Sequence, residues 1–264
     1  ERSVRRMADP EAPLDLARYS RQLLVHGADA QRRLEALRVL VVGAGALGCS
    51  CLPYLVGAGV GTVTICDGDD VELGNLHRQP LHDEAGARER LNKAESAARR
   101  LRALNSSVRV VAVPRHAGFD AETLDLVRAH DVVCDCSDNI GTRYLLNDAC
   151  FLADRRTLVT AAALGLEGTA TTYAFGRRRR LPRGGGVVDD DDDQITTEGC
   201  YRCAHPAPSS FEARRRCADR GVLGPVPGLL GCLQALEVLA LARSATGDGP
   251  PRVDTRLFDG RTLR

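Results

Sequence analysis

The sequence predicts an α/β fold: a Rossmann-like, mostly parallel sheet flanked by helices, with an antiparallel extension toward the C-terminus. Three observations carry that expectation. Short β-branched runs alternate with longer stretches of helical character from Arg38 to Ala161. The first run leads directly into Gly43-Ala44-Gly45-Ala46-Leu47-Gly48, a GxGxxG turn. From Gly168 the alternation stops, and Gly168–Phe175 reads as a strand of opposite direction. Alternating βα units give a parallel sheet, because each helix carries the chain back across to start the next strand in the same sense.

The elements follow in order. Residues 1–15, charged and Pro-containing, read as a flexible tail. Leu16–Leu37 reads as a helix broken near Gly27, and Arg38–Val42 (RVLVV) as a buried parallel strand. A helix follows the glycine turn, and Thr62–Cys66 is a second buried strand that ends in Asp67. Lys93–Leu104 has one charged and one apolar face, as an amphipathic helix requires. Val108–Val113 is a strand and Ala121–Ala129 a helix. Asp131–Asp135 is a strand whose end carries Ser137-Asp138-Asn139; Thr142–Asp154 is a helix and Thr157–Ala161 a strand. Residues 177–198 hold an arginine run, a glycine run and an aspartate run, and read as a disordered crossing loop whose composition cannot pack. Gly228–Ala242 is apolar on most faces and is expected to be buried against the sheet or a subunit interface.

A chain of 264 residues is long enough for one large α/β domain, here residues 16–264. Lys+Arg 36 against Asp+Glu 35 leaves almost no net charge, which argues against a direct nucleic-acid binder. Trp is absent and aromatic content is 4%, which disfavours base-stacking platforms. No apolar run approaches the roughly twenty residues of a membrane span, and the N-terminus carries no signal-peptide pattern. Ten cysteines without an export signal point to reduced thiols, metal ligands or catalysis in a cytoplasmic setting. The first residue is Glu and the last run is FDGRTLR, so both ends read as those of a fragment.

The chemistry concentrates between Val41 and Gln79. Glycines permit a tight strand-to-helix turn and close approach of backbone to phosphate, and the helix N-terminus favours an anion. An acid after the second strand, here Asp67, takes ribose hydroxyls. Alone this reads as a dinucleotide site with NAD the default. The segment after Asp67 argues otherwise: Arg78 and then Lys93 would neutralise triphosphate charge as pyrophosphate leaves, a need hydride transfer does not have. On charge alone, an exposed basic pair is the plainer reading.

Six motifs occur in one order: Arg18-Tyr19-Ser20-Arg21-Gln22, GAGALG, Asp67-Gly68-Asp69 with Asn75-Leu76-His77-Arg78-Gln79, Asp135-Cys136-Ser137-Asp138-Asn139, Cys200-Tyr201-Arg202-Cys203, and Leu230–Leu239. This order resembles the ubiquitin-activating-like adenylyltransferases of the MoeB/ThiF group. Leu124–Cys150 is most similar to the eukaryotic branch that couples an adenylyltransferase to a sulfurtransferase and activates the small subunit of molybdopterin synthase and the ubiquitin-related modifier. The resemblance implies ATP-dependent adenylation of the C-terminal glycine of a ubiquitin-fold sulfur-carrier protein ending in Gly-Gly. It places this activity in molybdenum-cofactor synthesis and tRNA thiolation.

The resemblance also assigns residues. Gly43, Gly45 and Gly48 shape the turn, and Ala46, where the family usually has Gly, offers its backbone amide to phosphate. Asp67 holds the ribose. Gly74, Asn75, Leu76, His77 and Arg78 lie along the phosphates with Lys93. Asp138 and Asn139 close the site, with Asp138 the Mg²⁺ ligand. Arg21 reaches the ATP of the other subunit, which requires a homodimer. Cys217 matches the family's reactive cysteine. Cys200 and Cys203 match half of a structural Zn²⁺ site, whose second CxxC would lie past Arg264. No rhodanese domain is recognisable in this sequence, so the sulfur-donating half is expected either to be lost with the C-terminus or to be supplied by another protein, a rhodanese or a desulfurase. Alternatives are a dehydratase-like enzyme acting on threonylcarbamoyladenosine in tRNA, a non-catalytic ATP-binding scaffold subunit, and an NAD oxidoreductase.

The cysteines read differently from one another. Arg214, Arg215 and Arg216 would lower the pKa of Cys217, though an unremarkable loop thiol fits the same residues. The CYRC pair supplies two of the four ligands tetrahedral zinc needs, or is two free thiols. It is not expected to open a helix after a strand, which disfavours a thioredoxin-like role. Cys66, Cys134, Cys136, Cys150 and Cys232 are expected in the core, and Cys49 and Cys51 as packing residues of the helix beside the turn. His77, His82, His116, His130 and His205 form no metal spacing and read as surface or structural.

Overall fold

The computed structural model describes residues 14–154, 156–174, 199–206, 221–244 and 256–259. Among the described residues, seven strands form one sheet in the order β3-β2-β1-β4-β5-β6-β7. They are β1 (Arg38–Val42), β2 (Thr62–Cys66), β3 (Arg109–Val113), β4 (Val132–Asp135), β5 (Thr157–Leu164), β6 (Glu167–Tyr173) and β7 (Arg256–Asp259). β1 to β5 are parallel, while β6 and β7 are antiparallel. The predicted fold class is therefore borne out, including the antiparallel extension.

Eight helices accompany the sheet among the described residues: α1 (Leu16–Ala36), α2 (Ala46–Gly57), α3 (Glu84–Arg88), α4 (Lys93–Leu104), α5 (Ala121–Ala129), α6 (Ile140–Leu152), α7 (Tyr201–Ala204) and α8 (Pro225–Ser244). Strand periodicity divides the core. Val39, Val41, Val63 and Ile65 pack on one face with α2, α4 and α8. Leu40, Val42 and Cys66 pack on the other with α5 and α6. Successive side chains of a strand point to opposite faces, so a central strand covered on both sides reads as continuously apolar.

α1 bends at Gly27, whose φ of 74° lies in the region only glycine enters freely. The break foreseen there is present. Asp15, assigned to the tail, caps α1 by accepting from the Arg18 backbone N–H. α8 is less enclosed than its composition suggested. Leu230, Gln234 and Val238 are buried against the sheet and α2, while Leu229 and Leu236 are exposed. Contrary to the expectation that no apolar run approaches a membrane span, Pro225–Arg243 is long and apolar enough to cross one, but half of it is buried within the fold, as in a core helix. Cys232, expected in the core, is only half-buried, because it lies on the flank of α8 between these faces.

The strand order reverses between β1 and β4, since β2 leaves β1 on one side and β4 joins it on the other. Such a switch point opens a crevice beyond the carboxyl ends of the strands. The glycine turn follows β1, and Cys136–Asn139 follows β4, so both loops meet there.

Candidate active site

The glycine turn is shaped by contact with the β4 loop. Gly43 has φ 101°, and a Cβ on it would lie 2.6 Å from the Cys136 carbonyl oxygen. A Cβ on Gly48 would lie 2.1 Å from the Gly43 carbonyl oxygen. Neither position accepts a side chain. The turn delivers Gly45, Ala46 and Leu47, at the open N-terminus of α2, to a pocket of about 380 Å³. The backbone N–H groups there make a positive pole for an anion.

The loop after β2 forms the second wall. Asp67 is buried, and its two oxygens accept from the Ala44 N–H (2.7 Å) and the Asp69 N–H (2.8 Å). It thus fastens the glycine turn to its own loop, and only its remaining lone pairs could reach a ribose. Asn92 caps α4 through Ala94 and Glu95, and its Nδ2 donates to the carbonyls of Asp67 and Asp69. This ties α4 to the loop and sets Lys93 at the pocket, where its Nζ lies 2.8 Å from Asp69 Oδ2. The Lys93 side chain is 8% exposed and that of Asp69 55%, so the ammonium is enclosed while its counter-ion stays in water.

Arg78 is held in an extended polar chain. Its Nη2 donates to Asn75 Oδ1 at 2.8 Å, and Asn75 Nδ2 donates to Glu72 Oε2 at 3.2 Å. Its Nη1 lies 2.8 Å from His77 Nε2. His77, Arg78 and Asp138 line the pocket. Asp138 is exposed there, and no hydrogen bond or ion pair holds its carboxylate among the described residues. Asn139 caps α6, accepting from the Thr142 N–H at 2.7 Å, so its carbonyl oxygen is already engaged. Gly74 and Leu76 belong to the 3-10 turn Leu73–Asn75 and its cap and do not line the pocket.

Arg143, Gln79 and Val222 are among the pocket residues that had no role in the sequence reading. Arg143 of α6 donates from Nε to Asp135 Oδ2 (2.9 Å) and from Nη2 to the carbonyls of Ala161 (2.9 Å) and Ser137 (3.3 Å). Asp135 is fully buried and also accepts from Thr160 and Ser137. Burial works against the Arg143 charge, but Asp135 outweighs it and raises the guanidinium pKa. Gln79 lines the pocket, 4% exposed. Val222 lines the pocket, as do Ala162 and Ala163. Only Gln79 carried a signal in sequence, at the end of the NLHRQ run. His82, read as surface or structural, is structural: Nε2 lies 2.9 Å from the Ala44 carbonyl oxygen and Nδ1 3.0 Å from Ser96 Oγ. Burial lowers its pKa.

The remaining predicted residues lie elsewhere. Arg21 is exposed on α1, and no ion pair holds it among the described residues. Cys217 lies outside the described residues, as do 177–198. Cys200 caps the one-turn helix α7. The thiols of Cys200 and Cys203 are 3.6 Å apart. A regular tetrahedron with zinc–sulfur bonds of roughly 2.3 Å has an edge of about 3.8 Å, so the pair fits half of a zinc site. Burial pushes the Cys200 thiol up, but hydrogen bonds from Cys203 and Arg202 bring its pKa down overall. No cluster of three or more metal-ligating side chains occurs among the described residues. α7 is docked on α6: the Tyr201 N–H donates to Asn147 Oδ1 at 2.9 Å, Arg202 Nε to Asp148 Oδ1 at 2.7 Å, and Tyr144 Oη to the His205 carbonyl at 2.7 Å. The buried thiols are held protonated: burial pushes Cys49 up to about 12 and Cys66 to about 11.

Fold and site together define a nucleotide-binding α/β protein whose pocket, at the sheet's switch point, is lined by cations and a helix N-terminus. The chain belongs to the ThiF family, whose profile matches residues 19–263. It is 50% identical over 250 residues to the mouse (Mus musculus) protein called adenylyltransferase and sulfurtransferase MOCS3, covering 92% of this chain and 49% of that one. The maize (Zea mays) protein of that name numbered MOCS3-1 is 42% identical over 260 residues, covering 97% and 50%. The chain thus spans about half the length of the curated relatives it matches. Among crystal structures, E. coli MccB with ATP aligns at TM-score 0.69 and 20% identity, covering 95% of this chain and 73% of that one. PaaA aligns at 0.66 and 19%, covering 96% and 77%. These two likenesses show the fold.

Proposed function

We propose that this chain uses ATP to adenylate the C-terminal glycine carboxylate of a ubiquitin-fold sulfur-carrier protein, preparing it for thiocarboxylate formation. One observation carries the reading most: the NLHRQ segment and Lys93 bring two cations to a pocket that already presents a helix N-terminus. A dinucleotide's pyrophosphate needs the helix end; a departing pyrophosphate needs the added charge. The MOCS3 relatives support the reaction class, since their names give adenylyl and sulfur transfer.

The chain's own groups account for the chemistry. A carboxylate oxygen of the carrier attacks the α-phosphorus of ATP, the bond to the β-phosphate bridging oxygen breaks, and pyrophosphate leaves with the electron pair. Arg78 and Lys93 stabilise the charge that builds on it, and the α2 amides hold the phosphate. Lys93 must exchange its partner Asp69 for phosphate, which the exposed Asp69 carboxylate permits by returning to water. Asp138 would hold Mg²⁺, which would offset phosphate charge as a Lewis acid. Arg21 would serve the neighbouring subunit of a homodimer. Sulfur from a rhodanese or desulfurase donor would then attack the acyl-adenylate and expel AMP. Cys217 is the candidate for a covalent intermediate, and Cys200 with Cys203 for half of a structural Zn²⁺ site. Pathways consistent with this reading are molybdenum-cofactor synthesis and tRNA thiolation.

The test is ATP–pyrophosphate exchange with a ubiquitin-fold protein ending in Gly-Gly. Exchange is expected to need that terminus and Mg²⁺. It should fall by a factor on the order of 10² to 10³ in Lys93→Ala or Asp138→Ala. Exchange that ignores the carrier's terminus, or survives both substitutions, would remove the reading.

A further inference from the structure

α1 carries a polar cluster that the adenylation reading does not use. The helix bends at Gly27, and side chains from both sides of the bend meet. Gln22 Nε2 donates to Gln31 Oε1 at 2.5 Å and to the Ala58 carbonyl at 2.8 Å. His26 Nε2 lies 3.1 Å from the same Gln31 oxygen, and Gln31 Nε2 donates to the Ala58 carbonyl at 3.1 Å. Gln31 is fully buried. Tyr19, also buried, accepts at Oη from Asn105 Nδ2, which donates to the Val56 carbonyl as well. At the bend itself nothing packs: a Cβ on Gly27 would meet no atom within 4 Å. Hydrogen bonds that span the bend therefore fix the angle between the two halves of α1.

These anchors hold the first half of α1 far from the chain's own pocket. Ala58 is the C-terminal cap of α2, and Asn105 that of α4. The pocket takes the opposite ends of the same two helices, at Ala46 and Lys93. Each helix has 12 residues and is roughly 18 Å long at about 1.5 Å per residue. No described residue of α1 lines the pocket. Tyr19, Gln22 and His26 lie on the docked face, whereas Arg21 is exposed. Leu24 and Val25, three and four residues on, share its face and are 81% and 68% exposed. An arginine so placed does not reach its own pocket.

We propose that Gln22 is a positioning residue for Arg21: with Gln31 it locks α1 at the Gly27 bend and so sets where Arg21 meets the ATP of the neighbouring subunit. This rests on the reading of Arg21 as serving that subunit, and deepens it. The lock touches no group of its own pocket, so its effect must appear in the partner's site alone. Gln22 is also the member that can be removed without stranding a buried group. The Ala58 carbonyl keeps Gln31 Nε2, and Gln31 Oε1 keeps His26.

The experiment uses mixed dimers purified through two different affinity tags. One subunit carries Arg21→Ala and keeps its pocket; the other carries Lys93→Ala and keeps its Arg21. Their single working site joins the pocket of the first to Arg21 of the second. Gln22→Leu is then added to one subunit or the other, and kcat is read in ATP–pyrophosphate exchange with a Gly-Gly carrier. In the Lys93→Ala subunit it should lower kcat by about tenfold or more, since a misplaced catalytic group is costly. In the Arg21→Ala subunit it should change kcat by less than about twofold. Gly27→Ala strains only the bend and should show the same one-sided loss. Equal losses from both placements would make Gln22 merely structural and overturn the proposal, as would an unchanged kcat with Gln22→Leu beside Arg21. If the parent mixture shows no exchange while the wild-type chain does, Arg21 does not act across subunits; this proposal falls and adenylation stands. Absence of carrier-dependent exchange in the wild-type chain would overturn both.

Discussion

Replacing Arg143 by Met keeps most of the stem's volume and removes the charge opposite Asp135. In the native fold Arg143 Nε lies 2.9 Å from Asp135 Oδ2, with side-chain exposures of 11% and 0%. Asp135 would keep hydrogen bonds from Ser137 and Thr160 but lose its only cation among the described residues. The carbonyls of Ala161 and Ser137 would lose donors as well. Breaking a buried pair by removing one member costs about 3–5 kcal/mol, because the other charge stays out of water. For a chain of this length each kcal/mol moves the melting temperature by roughly 2 °C. Arg143→Met should therefore lower it by about 6–10 °C, read by calorimetry or circular dichroism at pH 7. Adding Asp135→Asn removes the stranded charge and keeps an acceptor for Ser137, so the double variant should recover part of the loss. A single-variant change under about 1 kcal/mol, or a double variant that merely sums the two losses, would refute the account.

Other perturbations have equally definite outcomes. Burial lowers the pKa of both His82 and His130, so the unfolded chain takes up their protons first as pH falls. Stability should be full above the ordinary histidine pKa and decline from about pH 7 toward pH 5, with each group contributing at most about 1.4 kcal/mol per pH unit. His82→Gln should flatten that slope in pH-dependent urea melts; an unchanged slope would mean His82 already protonates in the folded state. Gly48→Ala puts a Cβ 2.1 Å from the Gly43 carbonyl oxygen, and neither atom can move without breaking the turn. It should weaken ATP binding in calorimetry and cost about 1–3 kcal/mol; native ATP affinity would contradict the geometry. Arg21→Ala should abolish exchange in a purified dimer, and mixing it with Lys93→Ala subunits should restore some. No recovery on mixing would place Arg21 outside its neighbour's site.

The parallel half of the fold was legible because its signals are local. β-branched runs, glycines and acids at strand ends mark β1, β2 and β4, and the predicted bounds of β1, β2, α4 and α5 are those observed. β7 was missed: Arg256–Asp259 carries no alternation and is a strand only because β6 offers an edge. α3 and α7 are too short to show a helical period. At the site, the motif residues Arg78, Lys93 and Asp138 line one pocket. Arg143 could not have been found by pattern, since its importance depends on Asp135, eight residues away and on another element. Nor could the sequence show that Asp67 and Asn139 first serve the fold, one fastening the glycine turn and the other capping α6.

α6 imposes a spacing rule on sequences of this kind. Arg143 serves the nucleotide pocket, whereas Asn147 and Asp148 hold the turn that bears Cys200 and Cys203. Arg143 and Asn147 are one helical turn apart, so both point correctly only while the count between them is kept. One inserted residue would rotate everything beyond it by about 100°, leaving either the pocket or the cysteine turn without its anchor. Evolution can therefore vary the loops around both regions freely, yet must treat Arg143 to Asp148 as a fixed ruler. A relative with an altered count here should have lost the cysteine pair or rebuilt its support.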